Sequence, residues 1–214
     1  MVVSESSARR YTLGDPDVRL MLEVRDDSAA AFEELVLRYQ TRLVAVLEHL
    51  VSNHDQAEDL AQDVFLRVYR ARKDYVASAK FSTWLFTIAN NVASNALRNQ
   101  SRRREVTLAS RDSGPLGTRP LDVMLQASSG QMPTRQLDKA EIREIVRLAL
   151  QALGERQRMA VLLAKFENMS YADIAGVMEI SPQAIKSLLH RARGNLREVL
   201  EPYFLSGDRV PENQ

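Results

Sequence analysis

A chain of 214 residues has room for one large domain or two small ones, and 45% apolar with 27% charged residues is the composition of a packed globular protein rather than a disordered one. The lack of cysteine excludes disulfides and thiolate metal sites, His49, His54 and His190 have no metal-ligand spacing, and no apolar run is long enough to span a membrane. Net charge is only +1, yet residues 52–63 carry four acids and no Lys or Arg while residues 75–104 carry five bases and no acid, so the chain has two electrostatically opposite surfaces.

Residues 1–14 show no helical period and are expected to be disordered. With Glu5, Arg9 and Arg10 they also lack the apolar stretch of a secretion signal, so the expected location is the cytoplasm. Asp15-Pro16 reads as an N-cap followed by proline at the first helical position, which predicts a short helix to about Val24. A second helix follows from Phe32, Leu35, Val36, Tyr39, Leu43, Val46, Leu47 and Leu50, which recur at steps of three and four. Ser52 with Asp55 three residues on resembles a capping box, and the helix it would open puts Ala57, Leu60, Ala61, Val64, Phe65 and Val68 on one side and the acids on the other. After a break near residues 74–80, Ser82 or Thr83 is expected to cap a helix with Trp84, Ile88, Val92 and Ala96 inward, ending near Arg98.

Residues 101–137 lose the period and gather Gly114, Pro115, Gly117, Pro120, Gly130 and Pro133, the composition of a linker. A flexible chain of that length spans roughly 35 Å, enough to hold two domains apart on one partner. Its apolar patch at 121–125 is a candidate docking segment. A second helical domain over 138–204 starts with Ile142, Ile145, Val146, Ala149, Leu150 and Leu153 on one face. Further helices are predicted over 155–166, 171–178 and 182–200, followed by a tail at 205–214. No strand-like alternation appears, so the fold class is all-α: two small helical domains joined by a flexible linker, the second with a helix-turn-helix.

That motif can be read residue by residue. Ser170 and Asp173 form a capping box, Ile174, Ala175 and Met178 face inward, residues 179–181 turn the chain, and Ser181-Pro182 opens the second helix. The small Ala175 allows close approach, Ile180 plugs the corner, and Ile185, Leu188, Leu189 and Ala192 bury the second helix. Its other side keeps Gln183, Lys186, Ser187, His190, Arg191 and Arg193, donors suited to base edges and phosphates in a major groove. Glu179 stands where such turns often have glycine, and a left-handed conformation there costs about 1 kcal/mol.

Three further features bear on function. Thr87, Asn90, Asn91, Ser94, Asn95 and Arg98 share one helix face of short amides and hydroxyls. Such residues are poor helix formers, which points to recognition by hydrogen bonding, with Arg98 and the cluster Arg102, Arg103 and Arg104 beside a phosphate backbone. Trp84 is expected in the core, whereas Phe81 is balanced between core packing and stacking on an unpaired base. The acids Asp55, Glu58, Asp59 and Asp63 would repel DNA, and without interleaved bases to form i, i+4 pairs they suit a basic protein partner.

The strings DQAEDLAQDVFLRVYRA, KFSTWLFTIANN and SYADIAGVMEISPQAIKSLLHRAR, in this order with a linker between, resemble the extracytoplasmic-function sigma factors over about residues 15–100 and 138–204. The resemblance implies a non-catalytic factor without cofactor or metal. Its first domain, region 2 of the family over 15–100, would bind the clamp helices of the polymerase beta-prime subunit and open the minus-ten element. Its second, region 4, would bind the minus-thirty-five element and the flap of the beta subunit. By position, Asp55, Glu58, Asp59, Gln62 and Asp63 would contact polymerase. Lys80, Phe81, Ser82 and Thr83 would form a base-capturing loop, and Asn91, Asn95 and Arg98 would lie along the minus-ten strand. Lys186, Ser187, His190 and Arg191 would read the minus-thirty-five duplex, and Leu188 stands where many members carry a basic residue. The free chain would be a monomer, and the family makes an anti-sigma factor an expected partner. The rival is a dimeric helix-turn-helix regulator with a palindromic site. An enzyme is not supported, since no Gly-rich phosphate loop, nucleophile-base pair or metal site occurs.

Overall fold

A computed structural model describes residues 14–109 and 139–205, and all regular structure within them is helical. The first helix, α1 (Pro16–Arg25), starts as its sequence dictates: the Asp15 Oδ1 accepts from the Asp17 N–H at 2.9 Å and proline occupies the first turn. Ser28 caps α2 (Ala29–Val51) through the Ala31 N–H, and the stripe from Leu35 to Leu50 is buried. Asp27, left-handed at φ 71°, turns the chain between them and is tied to Lys73 and Arg72 of the 3-10 turn (Arg72–Asp74). Those two hydrogen bonds, Lys73 first, hold its carboxyl below the ordinary value.

The cap of α3 (His54–Arg70) is Asn53, not Ser52. Ser52 takes the left-handed conformation that closes α2, at φ 58°, so the following extended residue performs the cap, its Oδ1 accepting from Gln56 N–H at 2.7 Å. The next helix, α4 (Phe81–Ala109), also departs from expectation at both ends. Ser82 and Thr83 lie inside it. Its exposed first amide, that of Phe81, is satisfied by the second carboxylate oxygen of Asp15 at 3.1 Å, so one side chain caps two helices 66 residues apart. It also runs past Arg98 to Ala109, making the first nine residues of the expected linker, 101–109, helical in backbone. The remainder, 110–137 with its apolar patch, lies outside the described residues, as do 1–13 and the tail from 206.

Helices α1 to α4 form an N-terminal body around Val18, Met21, Leu35, Leu43, Leu47, Phe81, Leu85 and Phe86. The C-terminal body comprises α5 (Lys139–Ala152), α6 (Glu155–Lys165), α7 (Tyr171–Met178) and α8 (Pro182–Leu205). Helix α8 packs against the other three around Leu162, Leu163, Ile174 and Ile185. Among the described side chains of α5, Ala149 and Leu150 are buried, as is Leu153 just beyond it; Ile142 and Val146, expected on the core face, are exposed. The two bodies are in contact, α7 lying against α4 and α5 and α6 against α2.

Candidate functional site

The helix-turn-helix forms as its residues require. Ser170 Oγ accepts from the Asp173 N–H at 3.1 Å and the Asp173 carboxylate accepts from the Ser170 N–H at 3.3 Å, completing the capping box of α7. Glu179 closes α7 at φ 54°, ψ 41°, the left-handed turn foreseen for it. Ser181 Oγ then accepts from the Ala184 N–H at 3.2 Å to open α8. Ile185, Leu189 and Ala192 are buried and Ile180 packs partly against the core, which leaves Lys186, Ser187, His190 and Arg191 exposed side by side over one and a half turns. Arg193 is drawn aside by a 3.0 Å bond to the Tyr171 hydroxyl.

In the N-terminal body the acids Asp55, Glu58 and Asp59 and the amide Gln62 are exposed along α3, and Asp63 pairs with Arg67 one turn on at 3.0 Å. His54, at the start of the same helix, sits between Glu48 at 3.0 Å and Glu58 at 3.4 Å. The hydrogen bond to Glu48 raises its pKa, with the charges of Glu48, Glu58 and Asp55 assisting. Beside the acids α2 and α3 enclose an open groove of about 670 Å³ lined by Phe32, Val36, Val44, Phe65, Leu66 and Tyr69 with Gln62 and Glu58 at its edge. Leu66 is 53% exposed and Tyr69 40%. The only trace of this groove in the sequence is two apolar residues, Leu66 and Tyr69, on the side of α3 away from its buried stripe.

The residues expected to meet melted DNA fare unequally. Phe81 is fully buried, edge-on to Tyr39 with centroids 5.2 Å apart and tilted against Trp84, so it is a core side chain of the N-terminal body and not a base-stacking one. Burial is imposed by its place on the first turn of α4, where the periodic face already points inward. Trp84 is half-buried between Tyr75 and Phe81, as expected of a packing residue. Lys80 is exposed, Ser82 half-buried and Thr83 only 6% exposed. Asn91, Asn95 and Arg98 are exposed on α4, with Arg98 Nη2 donating to Asn95 Oδ1 at 2.8 Å. Arg102 is exposed; the side chains of Arg103 and Arg104 lie outside the described residues.

The C-terminal body covers part of this surface. Lys80 Nζ donates to Asp173 Oδ2 at 2.9 Å, and Thr83 Oγ1 reaches Asp173 Oδ1 at 3.5 Å. Burial alone would raise the Asp173 carboxyl, but the bonds from Lys80 and Ser170 outweigh it and hold the group below its usual value. Asn90, Ser94 and Arg98 line a cavity of about 310 Å³ with Glu155, Arg156, Met159 and Met178 on the other wall. Among the described residues no group of three or more His, Asp or Glu side chains could hold a metal ion, and no helix is long and apolar enough to cross a membrane.

Two family models match the chain: Sigma-70 region 2 over residues 35–103 and Sigma-70, region 4, over residues 143–196. The RNA polymerase sigma-H factor of Pseudomonas aeruginosa is 31% identical over 88% of this chain and 95% of its own length. The ECF RNA polymerase sigma-E factor of Haemophilus influenzae is 30% identical over 87% of this chain and 96% of its own. Among solved structures, the sigma factor RpoE in complex with the anti-sigma factor NepR, from Bartonella quintana, aligns with a TM-score of 0.57 at 26% identity, covering 79% of this chain and 96% of that one.

Proposed function

The chain belongs to the extracytoplasmic-function sigma factors of RNA polymerase, and on that premise we propose how its residues divide the work of promoter recognition. A sigma factor is a non-enzymatic initiation factor: it binds core polymerase and directs it to promoters, region 2 serving the minus-ten element and region 4 the minus-thirty-five element. The alternative of a plain dimeric regulator is set aside by the region 2 match to the first body.

We assign polymerase binding to α3, with Asp55, Glu58, Asp59, Gln62 and Asp63 facing a basic surface of the beta-prime subunit. The adjoining apolar groove supports this reading, since a stable interface needs an apolar centre within a charged rim. Lys80, Ser82 and Thr83 with Asn91, Asn95 and Arg98 follow the melted minus-ten strand. Phe81 is left out because it is core. Unstacking costs a few kcal/mol per base, offset by contacts to the displaced strand. Lys186, Ser187, His190 and Arg191 read the duplex, and the observation that carries this assignment is their joint exposure on the second helix of a correctly capped helix-turn-helix. The proposed boundaries are a region 2 body over 15–100, whose last helix runs on to Ala109, a connecting segment over 101–137 and a region 4 body over 138–204, the free protein being a cytoplasmic monomer. An anti-sigma protein is a further proposed partner, supported by the Bartonella structure, in which the related chain is held by one.

The test is affinity for purified core polymerase together with start sites mapped on a genomic template library. Alanine at both Asp59 and Asp63 should weaken core binding by about 1–2 kcal/mol, roughly tenfold, with the helical content unchanged. Equal affinity of the double variant would overturn the polymerase-binding assignment.

A further inference from the structure

The seam between the two bodies is built from charges that pair across it. Arg42 of α2 grips Glu167 of the α6–α7 loop with Nε and Nη2, and the Glu167 side chain is only 2% exposed. Lys80 and Thr83 of the N-terminal body hold Asp173 of α7. Ser94 Oγ donates to Glu155 at 2.9 Å, and Gln151 to Ser52 at 3.0 Å. Arg158 of α6 donates to the carbonyls of His49 and Leu50 in the last turn of α2 and to those of Leu150, Gln151 and Leu153 at the end of α5, so one cation sits at the negative ends of two helices from different bodies. Where the two bodies meet over Leu50, Ala93, Leu97, Met159 and Met178, the packing is incomplete and leaves the cavity of about 310 Å³. The seam combines these ion pairs with apolar contacts and an open cleft, the make-up of an interface between domains that move relative to one another.

Gly176 of α7 lies against Thr83 of α4: a Cβ added there would sit 3.4 Å from Thr83 Cγ2, at ordinary van der Waals contact. The seam runs along one edge of the proposed minus-ten surface, burying Thr83 and engaging Lys80, while Asn91, Asn95 and Arg98 stay exposed. Thr83 is buried, Lys80 is neutralised by a carboxylate that would also repel phosphate, and Asn90, Ser94 and Arg98 face the cavity. The duplex-reading residues of α8 and the acids of α3 stay exposed.

We propose that this is a self-inhibited state, in which region 4 closes over one edge of the strand-capturing surface of region 2 and the Arg42–Glu167 pair is the latch. The inference rests on the assignment of Lys80 and Thr83 to the melted strand. Closing withholds Thr83 and ties up Lys80, which weakens capture of single strands while leaving duplex contact and polymerase docking available. The concentration needed for activity then scales inversely with the fraction of open chain. Removing Arg42 leaves the Glu167 carboxylate without its counter-charge, which favours opening.

The chain contains no cysteine, so a single thiol placed at Thr83 reports opening by its rate of alkylation. In the full-length Thr83→Cys protein, Arg42→Glu and Glu167→Arg should each raise that rate at least fivefold, and the swap carrying both should restore it, a rescue that misfolding would not give. With Thr83 intact, the single reversals should lower the concentration for half-maximal promoter-dependent transcription by a similar factor, again reversed in the swap. The proposal is overturned if Thr83→Cys is alkylated as fast in the unreversed protein as in urea, or if the reversals accelerate alkylation without changing transcription. Failure of the site assignment reads differently: Lys80→Ala would leave promoter opening unchanged whatever the thiol rates.

Discussion

Replacing Asp15 with alanine removes two helix starts in one step. Its Oδ1 accepts from the Asp17 N–H at 2.9 Å to cap α1, and its Oδ2 accepts from the Phe81 N–H at 3.1 Å to cap α4. Loss of one N-cap typically costs about 1 kcal/mol, so Asp15→Ala should destabilise the N-terminal body by about 2 kcal/mol. For a body of this size that is a fall in melting temperature of roughly 10 °C. Asp15→Asn separates the two roles: its carbonyl oxygen still accepts from Asp17, but an amide NH2 in place of Oδ2 cannot accept from Phe81, so about half the loss should remain. Asn53→Ala, which removes a single exposed cap, is the reference at about 1 kcal/mol. Urea titrations followed by far-ultraviolet circular dichroism measure all three. If Asp15→Ala costs no more than Asn53→Ala, the shared cap does not exist in solution.

Three further outcomes are expected. Tyr75 is buried with no hydrogen-bond partner for its hydroxyl among the described residues, and burial raises its pKa, so Tyr75→Phe should be neutral or stabilise by about 1 kcal/mol; a destabilised variant in urea titration would show that the hydroxyl is satisfied. On a mapped promoter, Lys186→Ala should cost about 1–3 kcal/mol of holoenzyme binding if it reads a base, whereas Arg191→Ala should weaken all sequences alike and reduce the slope of log affinity against log salt by about one if it holds a phosphate; the reverse pattern would exchange the two roles. The His54 imidazole should titrate above 6.5 by NMR because Glu48 stabilises its charged form, so its contribution to stability is complete below 6.5 and disappears as pH rises through the folded value. Glu48→Gln should bring the midpoint down, and an unchanged midpoint would refute the pairing.

Much of the architecture could be read locally. Proline after Asp15, the Ser170–Asp173 box, the Ser181 cap and the apolar stripes all act over a few residues, where spacing determines which groups can meet. The helix-turn-helix was legible to the level of Glu179 and its left-handed backbone. Ser52 and Asn53 are both good caps, and only the left-handed turn ending α2 decides between them. The start of α4 has no local signature because its capping group lies 66 residues upstream, and only that start decides between the core and base-contact readings of Phe81. The Arg42–Glu167 pair spans 125 residues, and the groove beside α3 depends on which apolar side chains remain uncovered after packing. Neither leaves a periodic trace.

Arg158 makes parting of the two bodies an uneven event. Three of its carbonyl partners belong to its own body, at the α5–α6 corner, and travel with it; only the bonds to His49 and Leu50 break. Those two oxygens return to water, which replaces such bonds at a net loss of about 1 kcal/mol each. The DNA-reading half therefore departs preassembled, its corner already fixed, and needs no refolding step before it meets a promoter.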